Sequence, residues 1–291
     1  MNYVVLDLEF NSTYSEAHHR FINEIIEIGA VKCDEKFNII NTFSVLIKPA
    51  VSKELNIHVS KLTNISIKEL NRSNVNFKSA IKSFVEFMDD SILMTWSTTD
   101  ILVLRENCTL LNDMKDIDFA EYYLNLQRYC ELALDYHDKS RQMGLSTCAQ
   151  RLNIKFDETI LHRALSDAKL SMLCLKELFE EPLFSKNIEE VGKEFFRKIT
   201  YKNTNICDLK DPLVDKKQMF ILCDICGKKA KRKSKWRLKN KSFRAGFRCS
   251  KCHRNFEGRI IIKKCYDGVK IIKKTFEPLK TDNSKEKKYS K

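Results

Sequence analysis

The apolar positions along the chain change period several times, and each change marks an element. Residues 3–10 (YVVLDLEF) form a short apolar, β-branched run that predicts a strand. Residues 24–33 (EIIEIGAVKC) and 38–47 (NIINTFSVLI) predict two more, and Pro49 closes that set because it cannot continue a ladder. Residues 52–70 read as loop and short helix. From Phe77 to Met88 the apolar residues fall at 77, 80, 81, 84, 85 and 88, a helical stripe. Residues 91–96 (SILMTW) read as a strand, after which Thr98 or Thr99 caps a helix running on through Leu104. Helical patterns follow over 119–134, 145–152 and 163–180, the last stopped by Pro182, and 184–202 reads as one more amphipathic helix. Three early strands followed by alternating helix and strand predict an α/β domain with a mixed sheet flanked by helices, spanning 1–182.

Beyond it, 183–217 reads as helix and linker, with Pro212 inside the 206–217 linker segment. Residues 218–277 read as a small β-type module. Its end, 259–276, is two strand-like runs joined by Asp267-Gly268, a pair that favours a tight hairpin turn. Residues 278–291 are polar and Lys-rich and are expected to be a disordered basic tail.

Charge sharpens this division. Of the 291 residues, 43% are hydrophobic and 31% charged, which is ordinary globular material. The net charge of +13 is unevenly spread. Residues 1–215 carry 26 Lys and Arg against 33 Asp and Glu, a net of −7; residues 216–291 carry 26 against 6, a net of +20. An acidic body with a strongly basic final quarter suggests one module that binds a polyanion, against the plainer reading of a solubilising tail. No run approaches the roughly 18 apolar residues of a membrane span. The opening residues lack the basic start of a signal peptide, so a cytoplasmic protein is expected. Eleven cysteines, an odd number, argue against a disulfide framework. Cys33, Cys108, Cys130, Cys148 and Cys174 stand among apolar neighbours and read as small core residues.

Asp7 and Glu9 stand two apart in an otherwise apolar strand, so their side chains share one face. Two carboxylates there are costly unless something positive neutralises them. No base lies between Val4 and Asn11, which favours a divalent cation over an ion pair. Asp100 falls in the first turn of a predicted helix, where an acid also suits the macrodipole. His162 and Asp167 flank the start of the long helix. A spacing of five residues leaves them about 140° apart if both are helical. His162 therefore belongs to the entering loop and Asp167 to the first turn or so, from where they can converge.

Asp7-x-Glu9, Asp100 and His162-x4-Asp167 occur in the order, spacing and local structure of the DEDDh 3′–5′ exonuclease superfamily, of the proofreading-exonuclease and RNase T type. Residues 3–11 (YVVLDLEFN) resemble its first motif and 24–31 (EIIEIGAV) its second strand. Residues 61–65 (KLTNI) resemble its Leu-Thr-Gly-Ile segment, and 96–104 (WSTTDILVL) and 162–168 (HRALSDA) its second and third motifs. The DLEFN form looks most like the KapD-type and enhanced-RNAi-type exonucleases. Asn64 replaces the usual glycine, and the run before Asp100 lacks the Asn or Gly often found there. The resemblance implies an RNase H-like fold with two Mg²⁺ or Mn²⁺ ions among Asp7, Glu9, Asp100 and Asp167. It implies that His162 acts as the base, an imidazole having an ordinary pKa of about 6.5. Phe10 would stack on a terminal base while the backbone near Asn11 positions it, Leu62 would wedge beside it, and Thr63 would be a further substrate-binding residue; Phe10, Asn11 and Leu62 also read as packing.

Cys223-x2-Cys226 and Cys249-x2-Cys252, 22 residues apart, have ribbon-like spacing for a tetrahedral four-thiolate zinc site, with Gly227 suited to a knuckle turn. His253 and Cys265 are the substitute ligands. Between the pairs, Lys and Arg alternate with Trp236, Phe243 and Phe247, groups that meet phosphates and stack on bases. One of the two phenylalanines is also expected in the module's small core.

Together these features predict a metal-dependent exonuclease that removes nucleoside 5′-monophosphates from the 3′ ends of single-stranded nucleic acid, RNA slightly favoured. The alternatives are a DNA 3′–5′ exonuclease and a non-catalytic nucleic-acid-binding regulator on the same fold. The expected cofactors are two Mg²⁺ or Mn²⁺ and one Zn²⁺. The expected partner is nucleic acid rather than a membrane.

Overall fold

Strand β1 (Tyr3–Ser15) is apolar from Val4 to Leu8 apart from Asp7, and it forms the middle of a six-stranded mixed sheet. It pairs antiparallel with β2 (Arg20–Cys33), which pairs in turn with β3 (Ile39–Leu46). On its other side lies β4 (Ile92–Thr95), parallel, followed by β5 (Tyr122–Asn125), also parallel, and β6 (Glu189–Glu190), antiparallel. The order is β3-β2-β1-β4-β5-β6. In the β1–β2 ladder Glu9 stands opposite Glu27 and Phe10 opposite Ile25, so Ile26 is the extra residue of a bulge. The structure, a computed structural model, describes residues 1–112, 114, 116–136, 142–157 and 162–277. The tail expected over 278–291 lies outside them.

Helices cover both faces. Val5, Val31, Met94 and Leu124 form one core with α5 (Leu126–Ala133), α6 (Leu145–Arg151), α7 (Ala164–Leu178) and α8 (Glu181–Asn187). The ring of Phe43, in a cross-strand pair with Ala30, meets Phe84 and Phe87 of α3 (Phe77–Met88) on the opposite face. Helix α4 (Thr98–Leu111) also packs on β2, and the short α1 (Ile57–Thr63) and α2 (Ile67–Arg72) follow β3. Helix α3 has the limits its stripe predicts. Asn76 caps it by accepting the Ser79 N–H at 2.9 Å, and Asp89 ends it in the left-handed region. The five expected core cysteines are all buried.

Three expectations are corrected. Residues 119–134 are not one helix: Tyr122–Asn125 is a strand between β4 and β6, with Tyr123 and Leu124 buried, and Asn125 then caps α5 by accepting the Arg128 N–H. A four-residue strand running straight into a helix has too few positions to show its period. Residues 184–202 divide into α8, β6 and α9 (Lys193–Ile199), separated by Ile188 and the Val191-Gly192 pair. Pro182 sits in the first turn of α8, where its missing N–H costs nothing. Finally, Ser97, not Thr98 or Thr99, caps α4, its hydroxyl accepting the Thr99 N–H.

The chain divides into two compact units, Met1–Phe196 and Arg197–Lys291. The second is a sheet of antiparallel strands: β7 (Thr204–Asn205), β8 (Lys231–Arg232), β9 (Arg237–Lys239), β10 (Ser242–Arg248), β11 (Asn255–Cys265) and β12 (Gly268–Phe276). Its core gathers Phe243, Phe247, Phe256, Ile260 and Ile262 with Cys223 and Cys249. The expected linker contributes Ile206 and Val214 to that core, so it is part of the unit rather than a tether. The final hairpin turns on Tyr266-Asp267, one residue earlier than the Asp-Gly reading, and Gly268 follows at φ 129° paired with Cys265. Among the described residues, no helix is long and apolar enough to cross a membrane.

Candidate active site and four-cysteine cluster

Asp7 and Glu9 follow Val5 at intervals of two and so lie on the face of β1 covered by α7. Helix α7 brings Asp167 to them from its first turn. One carboxylate oxygen from each of Asp7, Glu9 and Asp167 lies within 4.8 Å of the other two. Asp100, buried in the first turn of α4, is not one of that group of three, yet after burial its charge is the largest influence raising Asp7. The turn carrying Asp100 is tied to the sheet: Thr95 Oγ1 donates to the Ser97 carbonyl, and the buried Tyr123 hydroxyl donates to Thr95 Oγ1, 2.7 Å away.

Four acids crowded this way resist ionisation. Burial, then the charges of Asp100, Asp167, Glu9 and Glu27, hold Asp7 well above the usual carboxylate range. Burial, with Asp167 next, pushes Glu9 up to about 8. Burial pushes Asp100 up to about 7 against the pull of the Asp100 and Leu8 backbone N–H groups, and burial raises Asp167 as well. Among the described residues, no lysine or arginine pairs with any of the four. Asp167 Oδ2 accepts the His162 backbone N–H at 3.1 Å, while Oδ1 is buried with no partner. An orphaned carboxylate oxygen beside two further uncompensated acids is the donor set a hard divalent cation requires. The His162 backbone sits at φ 65° and its side chain is exposed; residues 158–161, just before it, lie outside the described residues.

Two residues beside this cluster were not singled out from the sequence. Glu27 of β2, 2% exposed, receives Arg163 in a forked ion pair (Nη2 to Oε1 2.8 Å; Nε to Oε2 3.1 Å) and the Ala164 backbone N–H at 3.2 Å. Two positions along β2, Gly29 lies directly under α7: a Cβ there would stand 2.0 Å from the Leu165 nitrogen and 2.2 Å from the Ala164 carbonyl carbon. Together these fix the end of the helix that carries Asp167. The only sequence signal was an acid and a glycine in an otherwise apolar strand.

The proposed substrate contacts divide. Leu62 is 55% exposed and Phe10 half-buried. Asn11, by contrast, is buried and spends its amide on the chain leading into α1: it donates to Ser52 Oγ and the Glu54 carbonyl at 3.0 Å and accepts the Asn56 N–H at 2.9 Å. Glu24 holds the same stretch through the backbone N–H groups of Ala50, Val51 and Ser52. Thr63 is buried too, its hydroxyl donating to the Val59 carbonyl and accepting the Ile65 N–H. Asn11 and Thr63 thus hold the chain leading into α1 and the end of that helix. Asn64 ends α1 at φ 56°, ψ 25°, a left-handed position that glycine adopts freely and asparagine tolerates, which accounts for the exchange seen in the sequence.

In the second unit, the sulfurs of Cys223, Cys226, Cys249 and Cys252 all lie within 4.8 Å of one another, and His253 and Cys265 are not part of the group. Each pair sits in a knuckle. The Gly227 N–H donates to the Cys223 carbonyl with Gly227 at φ 70°, and the Cys249 N–H donates to the Arg254 carbonyl with His253 at φ 55°. The Cys252 N–H also points at Cys249 Sγ, 3.4 Å away, and is the main influence holding that thiol down to about 6. Four sulfurs converging from two knuckles fit a tetrahedral zinc ion. Trp236 is half-buried against Phe247.

A mixed sheet with acids on its central strand, completed by one acid from each of two helix starts, is the arrangement of a nuclease that works through divalent cations. The chain belongs to the RNase T family of exonucleases, whose family model matches residues 4–175. Among curated relatives, it is 27% identical over 171 residues to the PolC-type DNA polymerase III of Thermotoga petrophila and 28% identical to that of Thermotoga maritima. Each match covers 58% of this chain and 11% of the polymerase, so the chain spans about a tenth of those relatives. Three solved structures share its fold. One is a 3′-exonuclease in 3′-end-specific recognition of histone mRNA stem-loop (TM-score 0.54, 18% identity, 66% of this chain and 91% of that one). Another is the nuclease domain of 3′hExo, a DEDDh family member, bound to rAMP (0.54, 19%, 66% and 96%). The third is cell-death related nuclease 4 (0.51, 14%, 71% and 68%).

Proposed function

We propose that the protein is a metal-dependent 3′–5′ exonuclease that releases nucleoside 5′-monophosphates from single-stranded 3′ ends, RNA preferred over DNA. The observation that carries this is the convergence of Asp7, Glu9 and Asp167, with Asp100 beside them, around the unpartnered Oδ1 of Asp167. Those four carboxylates would hold two Mg²⁺ or Mn²⁺ ions. Bound there, the ions supply Lewis-acid neutralisation of the scissile phosphate and acidify the attacking water. His162 receives the water's proton on its imidazole, its backbone being tied to Asp167 Oδ2. Phe10 stacks on the terminal base and the exposed Leu62 lies beside it. In the second unit the four cysteines hold one zinc ion, and the basic face there, Trp236 included, holds the strand.

The preference for RNA draws on the structural relatives, one bound to rAMP and another recognising a histone mRNA stem-loop. The polymerase relatives supply the competing reading, a DNA exonuclease. The test is incubation of the pure protein with Mg²⁺ or Mn²⁺ and matched 5′-labelled RNA and DNA, single- and double-stranded. Stepwise shortening with release of 5′-mononucleotides, faster on single-stranded RNA and abolished by Asp167→Asn, is expected. Wild-type rates in Asp167→Asn would overturn the site, and faster turnover of DNA would overturn the substrate.

A further inference from the structure

In the second unit, basic and aromatic side chains converge on a cleft of about 500 Å³ that no cysteine of the zinc site lines. Lys216, Phe220, Lys229, Arg232 and Trp236 border it. The half-buried ring of Phe220 carries two ammonium groups, Lys273 Nζ at 3.4 Å and Lys229 Nζ at 4.8 Å from its centroid. The guanidinium of Arg232 lies over the Trp236 ring, 5.6 Å from its centroid; the ring leans on Phe247 at 5.7 Å and 60° and borders the cleft.

Gathering these cations without an anion is costly. Burial and the neighbouring Lys229 hold Lys273 below the ordinary lysine value. Of the acids of this unit, Glu257 is taken by Arg237 and Arg244, and Asp224 and Glu277 by Arg254. Asp208, Asp211 and Asp215 accept the backbone N–H groups of Lys210, Leu213 and Lys217. Among the described residues, none of Lys216, Lys229, Arg232 and Lys273 has a carboxylate partner. The aromatic rings serve as low-cost perches for cations and leave the Trp236 face for a flat apolar group. An acidic peptide would answer the charge but not the ring, and a double helix hides the faces of its bases. A single strand presents an anion and a flat ring at every step.

Resting on the reading that the second unit engages nucleic acid, we infer that the Phe220–Trp236 cleft is a binding site for one nucleotide step of a single strand. The base lies on Trp236 and the flanking phosphates between Lys229, Lys273 and Lys216. Phe220 acts as the spacer that sets the two lysines apart, and Arg232 borders the stacked base. The cleft belongs to a unit outside the 4–175 match to the exonuclease family.

The test uses the full-length chain carrying Asp167→Asn, so that labelled 20-nucleotide oligouridylate and oligodeoxythymidylate remain intact. Binding is followed by anisotropy across a salt series. Zinc content and circular dichroism confirm that each variant is folded. Lys229→Glu with Lys273→Glu should weaken binding at least tenfold and reduce the logarithmic salt slope by about 1.4, roughly 0.7 for each phosphate no longer neutralised. Trp236→Ala should weaken it roughly 5- to 100-fold with the slope unchanged, the loss expected for one stacked base. Oligonucleotide should also quench tryptophan emission by a larger fraction in the parent chain than in Trp236→Phe, where only Trp96 remains, a readout that needs no destabilising change. Lys239→Glu with Lys251→Glu, exposed basic positions away from the cleft, is the control and should reduce affinity by less than threefold. If both lysine pairs weaken binding equally and Trp236 emission is unmoved, the strand meets a diffuse basic face and the cleft is overturned. If neither pair changes affinity or slope, the second unit does not engage nucleic acid, and the broader reading fails with it.

Discussion

Asp167 has two oxygens with opposite fates, one bonded to the His162 backbone and one buried and unpartnered. That asymmetry ties the loop histidine to the acid cluster through the main chain and leaves its imidazole free to face solvent and substrate. His162→Ala should therefore leave thermal stability and divalent-ion affinity nearly unchanged while lowering the exonuclease rate about 10²–10⁴-fold, as expected for a lost general base. An unchanged rate with an unchanged pH profile would remove His162 from the chemistry. The acids themselves make a different prediction. Glu9, at about 8, and Asp100, at about 7, lie above their ordinary values of 4.5 and 3.8. Groups raised on folding contribute stability that is full below the unfolded pKa and is lost as pH rises through the folded one. With zinc retained but no Mg²⁺ or Mn²⁺ added, the melting temperature of the first unit should fall by several degrees between about pH 5 and pH 8.5. Added Mn²⁺ should raise it more at pH 8 than at pH 6, because a bound cation offsets the repulsion that grows with ionisation. Equal shifts at both pH values, measured by differential scanning fluorimetry, would mean the four acids do not titrate as one cluster.

At the scale of elements, the start of α7 is the part of the site most sensitive to small changes. Gly29→Ala would drive a Cβ into the backbone of Ala164 and Leu165, atoms that retreat only if the helix moves. A loss of about 1–3 kcal/mol in stability is expected, as for other overpacked sites, together with at least a tenfold fall in kcat as Asp167 shifts. Glu27→Gln keeps an acceptor for the Ala164 N–H but releases Arg163, so kcat should fall with KM little changed; wild-type kinetics in both variants would show that α7 is held some other way. These two residues also mark where sequence reading stopped. The apolar stripe of α3 and the acids at 7, 9, 100 and 167 were legible because their signals are local or ordered along the chain. The Glu27–Arg163 pair joins positions 136 residues apart, and no local pattern announces it. Tyr122–Asn125 was hidden for a different reason, its four residues abutting α5 without a turn. The bonds that the Asn11 side chain makes to Ser52, Glu54 and Asn56 were hidden too, because they reach 41 to 45 residues along the chain.

At the scale of the whole molecule, the charge division of the sequence coincides with a division of structure. The acids lie in Met1–Phe196 and most of the positive charge in Arg197–Lys291. A chain ending at Ile199 should still shorten brief oligonucleotides, while its binding of long strands should be weaker and less dependent on salt than that of the full chain. Equal affinity and slope for the two, in parallel salt titrations, would assign the basic unit another partner. The core of that unit is small, with Cys223 and Cys249 among its buried residues. Zinc removal should therefore unfold it while leaving the first unit's transition in place, seen as loss of one of two melting steps.

The bulge at Ile26 has a consequence for how the chain finds this structure. From Glu24 to Cys33 every residue of β2 is buried, so the alternation that usually tells a strand which way to face is missing. Ile25 and Ile26 are chemically alike, and a slip of one position would bury as much apolar surface as the native pairing. The exceptions discriminate. A slipped strand would carry Glu27 to the face away from Arg163 and bring the side chain of Ile28 or Ala30 against the backbone of α7, where only the bare Gly29 fits. The same acid and glycine that aim the helix therefore also reject the wrong alignment during folding, so a mutation at either should yield two faults from one cause: a misplaced Asp167 in the molecules that fold, and a larger share that pair out of step and aggregate.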